Sequence, residues 1–202
     1  MRSVRALAPC AAPGGGVHAY DTVLRDACKG TKLANAGVSA DQVRVVYHKA
    51  ANQFGMPVYY PEPGSDYSSF QANLTAFSRR VRAELPSVQA VYTSSRSYGG
   101  FTTRPERGEP LSYEEGHALN GWLAANPSVD GAWYGWGPCL WAPDCATGLA
   151  NGTGTCYVAD DYQADQVHPA AGALEEITSM LHERFLREPW YRRAATGAAG
   201  GR

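Results

Sequence analysis

Near the end of the chain, Asp165 stands three positions before His168 in Asp165-Gln166-Val167-His168-Pro169. Those residue types at that spacing suit acid–base chemistry. In a turn, the carboxylate can fold back onto Nδ1–H of the imidazole. That contact fixes the tautomer and leaves Nε2 free to take a proton from a nucleophile. Without further groups the same pair is an Asp and a His in a surface loop, so the reading depends on what the rest of the chain brings to it. Pro169 suits the opening of a last helix, read from about Ala170 to Leu186.

The elements that must position the pair alternate along the chain. Val4 to Leu7 is short and apolar, Pro13-Gly14-Gly15-Gly16 forces a tight turn, and Val17 to Leu33 has helical spacing. Backbone N–H groups in such a glycine run can approach an anion at a helix start. Val43 to Tyr47 reads as a strand that runs into His48-Lys49-Ala50-Ala51-Asn52, placing Asn52 just past its carboxyl end. Gln53 to Ser65 is a loop rich in Pro, Gly and Tyr. Asp66 to Leu85 is the clearest helix, capped by Ser65 or Asp66, with Phe70, Leu74, Phe77 and Val81 as its buried stripe. Val88 to Thr93 is the next strand and ends in Ser94-Ser95-Arg96; Pro110 to about Ala125 is a helix. Asp130 to Trp136 reads as the final strand, followed by a loop bearing Trp and Cys from Gly137 to Thr155. The last helix offers Leu174, Ile177, Met180, Leu181 and Phe185 as a core face. From Arg192 onward the composition predicts a disordered tail, which leaves one domain over 1–191.

This alternation predicts an α/β fold: a three-layer α/β/α sandwich around a mostly parallel, flavodoxin-like sheet. Ligands of such folds bind beyond the carboxyl ends of the strands. Gly14 to Gly16, Asn52, Ser94 to Arg96 and the Asp165/His168 pair all fall in loops of that kind.

Composition narrows the partners. With 202 residues, 44% hydrophobic and 18% charged, and a formal net charge of -1, nothing in the chain calls for nucleic acid or an anionic membrane. No run approaches the roughly 18 apolar residues of a membrane span. The N-terminal apolar run is broken by Pro9, so no export signal is read in the chain as written. Of five cysteines, Cys139 and Cys145 share a short loop, where a local disulfide would leave Cys156 over or paired elsewhere. No C-x-x-C occurs, which counts against zinc or redox chemistry, and no cofactor is expected.

Val91-Tyr92-Thr93-Ser94-Ser95-Arg96-Ser97-Tyr98-Gly99-Gly100-Phe101, Pro138-Cys139-Leu140-Trp141 and above all Asp165-Gln166-Val167-His168-Pro169 carry a resemblance to the SGNH (GDSL-like) hydrolases, a superfamily of ester and acyl hydrolases. The resemblance runs from about Gly14 to Phe185. It implies that Asp165 and His168 are the family's D-x-x-H pair. It also implies that Asn52 is the side-chain donor of the oxyanion hole, and that Gly15 or Gly16 is the backbone donor. Around Asn52 the family's usual form is G-x-N-D, which Lys49-Ala50-Ala51-Asn52 departs from.

The implied substrate is a small or carbohydrate-linked acyl ester. The nucleophile breaks the pattern: the family places a Ser in a G-D-S turn after the first strand, and neither G-D-S nor G-x-S-x-G occurs here. The resemblance therefore implies a missing first strand, with the serine on a segment upstream of this start and an extracellular location if that segment carries a signal peptide. Otherwise it implies a domain that has lost catalysis and holds a glycan or small ligand through its aromatic loop. Loss of a central strand would expose ladder groups and predicts poor solubility; a sharp, reversible thermal transition in a monodisperse sample would contradict it. Ser94 and Ser95 lie at a strand end but belong to a structural segment of the family. For Trp133, Trp136, Trp141 and Trp190, core or loop anchoring is expected before sugar stacking. His48 is expected partly buried, and His18, His117 and His182 solvent-facing. Arg96 either pairs with a substrate carboxylate or anchors its own loop.

Overall fold

The computed structural model describes residues 31–52, 55, 58–152 and 154–192. The strands are β1 (Val45–Lys49), β2 (Ala90–Ser94), β3 (Ser128–Val129) and β4 (Ala132–Trp136); the long helices are α1 (Asp66–Glu84), α2 (Leu111–Ala125) and α3 (Ala171–Leu186). The sheet order is β1-β2-β4-β3, parallel except where β3 runs antiparallel to β4. The protein is thus α/β with a mostly parallel sheet between helical layers. Among the described residues β1 is one edge of the sheet. The glycine-rich turn, most of the first predicted helix and the tail from residue 193 lie outside them.

Side-chain alternation sorts the two faces. Val46, Val91 and Tyr134 point to the layer of α1 and α2, where Phe70, Leu74, Phe77, Val81, Leu119, Trp122 and Leu123 close the main core. Each such buried side chain contributes about 1.5–3 kcal/mol. Tyr47 and Tyr92 point the other way, and Phe185 of α3 packs edge-on against both rings at 6.3 and 5.1 Å. Arg184 adds its guanidinium 4.9 Å from the Tyr92 ring centroid and donates to the Trp136 carbonyl at 3.1 Å. Helix α1 begins where Ser65 accepts the Ser68 N–H, and its apolar residues recur every three or four positions. At the start of α2, Pro110 has no capping side chain; Glu109 accepts the Tyr113 N–H at 3.2 Å instead.

Three expectations need correction. Asp130 does not belong to a continuous strand. Asp130 and Gly131 both have positive φ, 48° and 80°, and form the two-residue turn of a β3–β4 hairpin, a conformation the Asp-Gly pair favours. Cys145 is bonded to Cys156, with Cα atoms 4.9 Å apart, and not to Cys139. The reason is a pair of backbone bonds, Cys145 N–H to the Tyr157 carbonyl and Tyr157 N–H to the Pro143 carbonyl, that bring these two segments side by side. On α3 the buried residues are Ala173 and Met180, whereas Leu174 is half exposed. The helix lies on the sheet through Phe185, which turns Leu174 away from the packed side.

Candidate active site

The carboxyl ends of the parallel strands line up. Lys49 pairs with Ser94, the Ala50 N–H bonds to the Ser94 carbonyl, and the Gly137 N–H bonds to the Thr93 carbonyl. The chain therefore leaves the sheet at one rim after β1, β2 and β4. The loop that follows β4 ends in the Asp165/His168 turn. That turn is closed by the Gln163 N–H on the His168 carbonyl (2.7 Å) and the Ala170 N–H on the Asp161 carbonyl (2.7 Å). Tyr162, at its base, is buried against Ala142, Tyr157 and Ala173, with Tyr98 and Phe101 packed alongside. Gln166 takes a left-handed φ of 55° inside the turn, a conformation a non-glycine residue adopts at some energetic cost.

Within this frame Asp165 Oδ2 lies 2.5 Å from His168 Nδ1, while its Oδ1 accepts the N–H groups of Val167 and His168, both at 3.0 Å. Partial burial alone would raise the Asp165 pKa. The bonds from the His168 N–H, its ring and the Val167 N–H outweigh that and hold the carboxyl well below the usual range. The His168 side chain is 61% exposed, with Nε2 directed away from the bond to Asp165. Among the described residues no side chain hydrogen-bonds to Nε2.

Asn52 lies past β1 and is buried. Its N–H donates to Glu115 Oε1 at 2.5 Å, and its Oδ1 accepts Asn73 Nδ2 at 2.8 Å. Among the described residues, its own Nδ2 makes only a long 3.5 Å bond to Ser69. The amide is thus oriented through its oxygen, with its donor nitrogen lightly used. Gly15 and Gly16 fall outside the described residues. Ser94 is fully buried and donates to the Pro138 carbonyl at 2.6 Å; Ser95 is buried too, and neither bonds to His168.

Sequence reasoning missed Glu115. It is completely buried below Asn52, and that burial pushes its pKa up to about 8 against the pull of Arg96, the Asn52 N–H and Lys49. A readable signal existed: Glu115 stands on the stripe Leu111, Ala118, Leu119 and Trp122, where a core residue belongs. Arg96 is buried and donates to the Arg107 carbonyl at 3.4 Å, and its charge pulls the Glu115 pKa down. His48, as expected, is partly buried. Its ring stacks on Phe77 at 3.7 Å and Nδ1 is sealed from solvent, and burial pushes its pKa down to about 3.

Among the described residues, no group of three or more His, Cys, Asp or Glu side chains is placed to hold a metal ion. No helix there is long and apolar enough to cross a membrane. Compared with known proteins, the chain matches no family model, no curated protein and no solved structure.

Proposed function

We propose that the protein is an ester hydrolase of SGNH type acting on a small or carbohydrate-linked acyl ester, with Asp165 and His168 as its orienting acid and general base. The observation that carries the reading is the 2.5 Å Asp165 Oδ2–His168 Nδ1 contact at the carboxyl rim of a mostly parallel sheet, with Nε2 turned outward. In the proposed reaction Nε2 takes the proton of a serine hydroxyl as it attacks the ester carbonyl. It then returns that proton to the leaving alcohol, and a water repeats the cycle on the acyl-enzyme. Asp165, ionised across the working pH range, holds the tautomer and stabilises the imidazolium.

Asn52 Nδ2 is the proposed side-chain donor to the oxyanion. Its orientation by Asn73 supports that assignment, and loss of one such donor typically costs about 10²–10³ in rate. The backbone donor in this reading is Gly15 or Gly16. The serine is supplied from outside the described residues, because Ser94 and Ser95 are buried and not bonded to His168. Labelling by a fluorophosphonate, mapped by mass spectrometry, tests the reading in the chain as given and in a form extended upstream of Met1. One serine labelled in either form, and unlabelled after His168→Ala, is expected. Folded protein that stays unlabelled in both forms would contradict it.

A further inference from the structure

A cavity of about 200 Å³ lies at the carboxyl rim, between α2 and the ends of β2 and β4. Tyr113, His117 and Asn120 of α2 line it, together with Trp136 at the end of β4 and Cys139 and Trp141 in the loop beyond. Asp165, His168 and Asn52 take no part in it. The three helix residues recur at spacings of four and three and so form one stripe of α2, on which Tyr113 is 51% exposed.

What this lining offers a ligand is ring surface. The hydroxyls of Ser95 and Ser112 lie behind it, sealed from solvent, and can meet nothing in the cavity. Both indole N–H groups are used within the protein. Trp141 donates to Glu109 Oε1 at 3.1 Å, and Trp136 donates to Asn120 Oδ1 at 3.3 Å. Glu109 Oε1 is itself held by the Gly99 N–H at 3.0 Å. These bonds fix the indole planes and leave their carbon faces and edges as wall. Tyr113 stands at 65° to Trp141 with ring centroids 5.6 Å apart, and at 62° to His117 at 4.6 Å. Rings set edge to face present a negative face beside a positive edge. A further aromatic ring gains from both beyond its area burial, and a saturated ring does not.

We propose that this cavity binds one uncharged aromatic ring. The volume fits a single six-membered ring, given that a cavity of about 150 Å³ takes up benzene. The lining has no Lys, Arg, Asp or Glu to pair with an ionic group. Cys139 is exposed, donates to the Trp141 carbonyl at 3.6 Å, and has its pKa pushed up by burial, so it stands there as a neutral thiol. A sugar carries hydroxyls on every side, and the serine and indole groups that would meet them are sealed or already bonded. The site does not depend on the hydrolase reading.

The test uses the full chain and benzyl alcohol, with binding read by saturation-transfer NMR and its place read by iodoacetamide labelling of Cys139, mapped by mass spectrometry. Cyclohexylmethanol, benzoate, benzylammonium and methyl glucoside are the comparators, and free glutathione in the same mixture checks the reagent. Benzyl alcohol is expected to bind with a dissociation constant on the order of 1 mM and, at about ten times that concentration, to slow Cys139 labelling about tenfold. Each comparator should protect less. Tyr113 is half exposed, so it can be changed with the fold intact. Tyr113→Leu should weaken binding about fivefold by removing a ring, and Tyr113→Phe should leave it unchanged. The proposal is overturned if benzyl alcohol does not bind, or if it binds and leaves Cys139 labelling unchanged. It is equally overturned if any comparator protects as well, or if Tyr113→Leu binds as tightly as the native chain.

Discussion

Asp165 and Glu115 are carboxyl groups at the same end of the sheet, and their surroundings drive them in opposite directions. Asp165 lies in a self-contained turn, accepts bonds from its own backbone neighbours and His168, and is held ionised. Glu115 is enclosed by the core and favours its protonated form despite Arg96 and Lys49 nearby. The difference separates two jobs. The carboxylate paired with a histidine in an exposed turn stays charged, whereas the one that holds the Asn52 backbone to the core is folded into the interior. The first is local and costs the fold little. The second ties β1, β2 and α2 together, and the fold depends on it.

The largest expected effect follows from that dependence. Glu115→Ala leaves the Asn52 N–H without its acceptor and a cavity where a fully buried side chain stood, and should cost about 3–5 kcal/mol in chemical denaturation. Glu115→Gln keeps the shape of the protonated acid and should cost no more than about 1 kcal/mol near pH 5. Equal losses in both variants would show that packing, and not the carboxyl, is what matters there.

Reducing the Cys145–Cys156 disulfide, which spans 11 residues, should remove about 3 kcal/mol. The loosening should be local to the Asp165 side, since Tyr157, next to Cys156, packs edge-on against Tyr162 at 5.7 Å beneath the turn. Amide exchange should speed up at Tyr157 and Ala170 and stay slow at Asn52; uniform acceleration would show that the two regions are not separable.

Glu115 and His48 give opposite pH dependences. Glu115 has a folded pKa raised from 4.5 to about 8, so its contribution is fully present below about 4.5 and is lost as pH rises through about 8. His48 has a folded pKa lowered from 6.5 to about 3, so its contribution is present above about 6.5 and is lost as pH falls towards 3. The two cancel between about 4.5 and 6.5, and from 6.5 to 8 the Glu115 slope remains, at up to about 1.4 kcal/mol per pH unit. Thermal melts of Glu115→Gln should lack that decline; if they keep it, another group carries it. The smallest expected effect is Asp165→Asn, which should change stability by no more than about 1 kcal/mol because the pair is largely solvent-exposed.

The fold was largely legible because its signals are local. Phe70, Leu74, Phe77 and Val81 recur at helical spacing, and the strands at 45–49 and 90–94 fall within two residues of where β-branched and aromatic runs put them. The hairpin was not, because Ser128-Val129 is too short to show a period, although Asp130-Gly131 was a turn signal in plain view. The Asp165/His168 contact was legible because both partners lie in one turn. Glu115 and Glu109 were not: the first takes its role from Asn52, 63 positions earlier, and the second from Trp141, 32 positions later. The disulfide was misread for the same reason, since sequence distance favoured Cys139 while backbone pairing across the loop favoured Cys156.

The most direct test of the central claim is hydrolysis of a short p-nitrophenyl ester by the chain as given and by a form extended upstream of Met1, each beside His168→Ala and Asp165→Asn. The account predicts turnover in the form that carries the serine, abolished by His168→Ala and reduced about 10⁴-fold by Asp165→Asn with the fold intact. Well-folded protein inert in both forms, or turnover indifferent to His168, would contradict it.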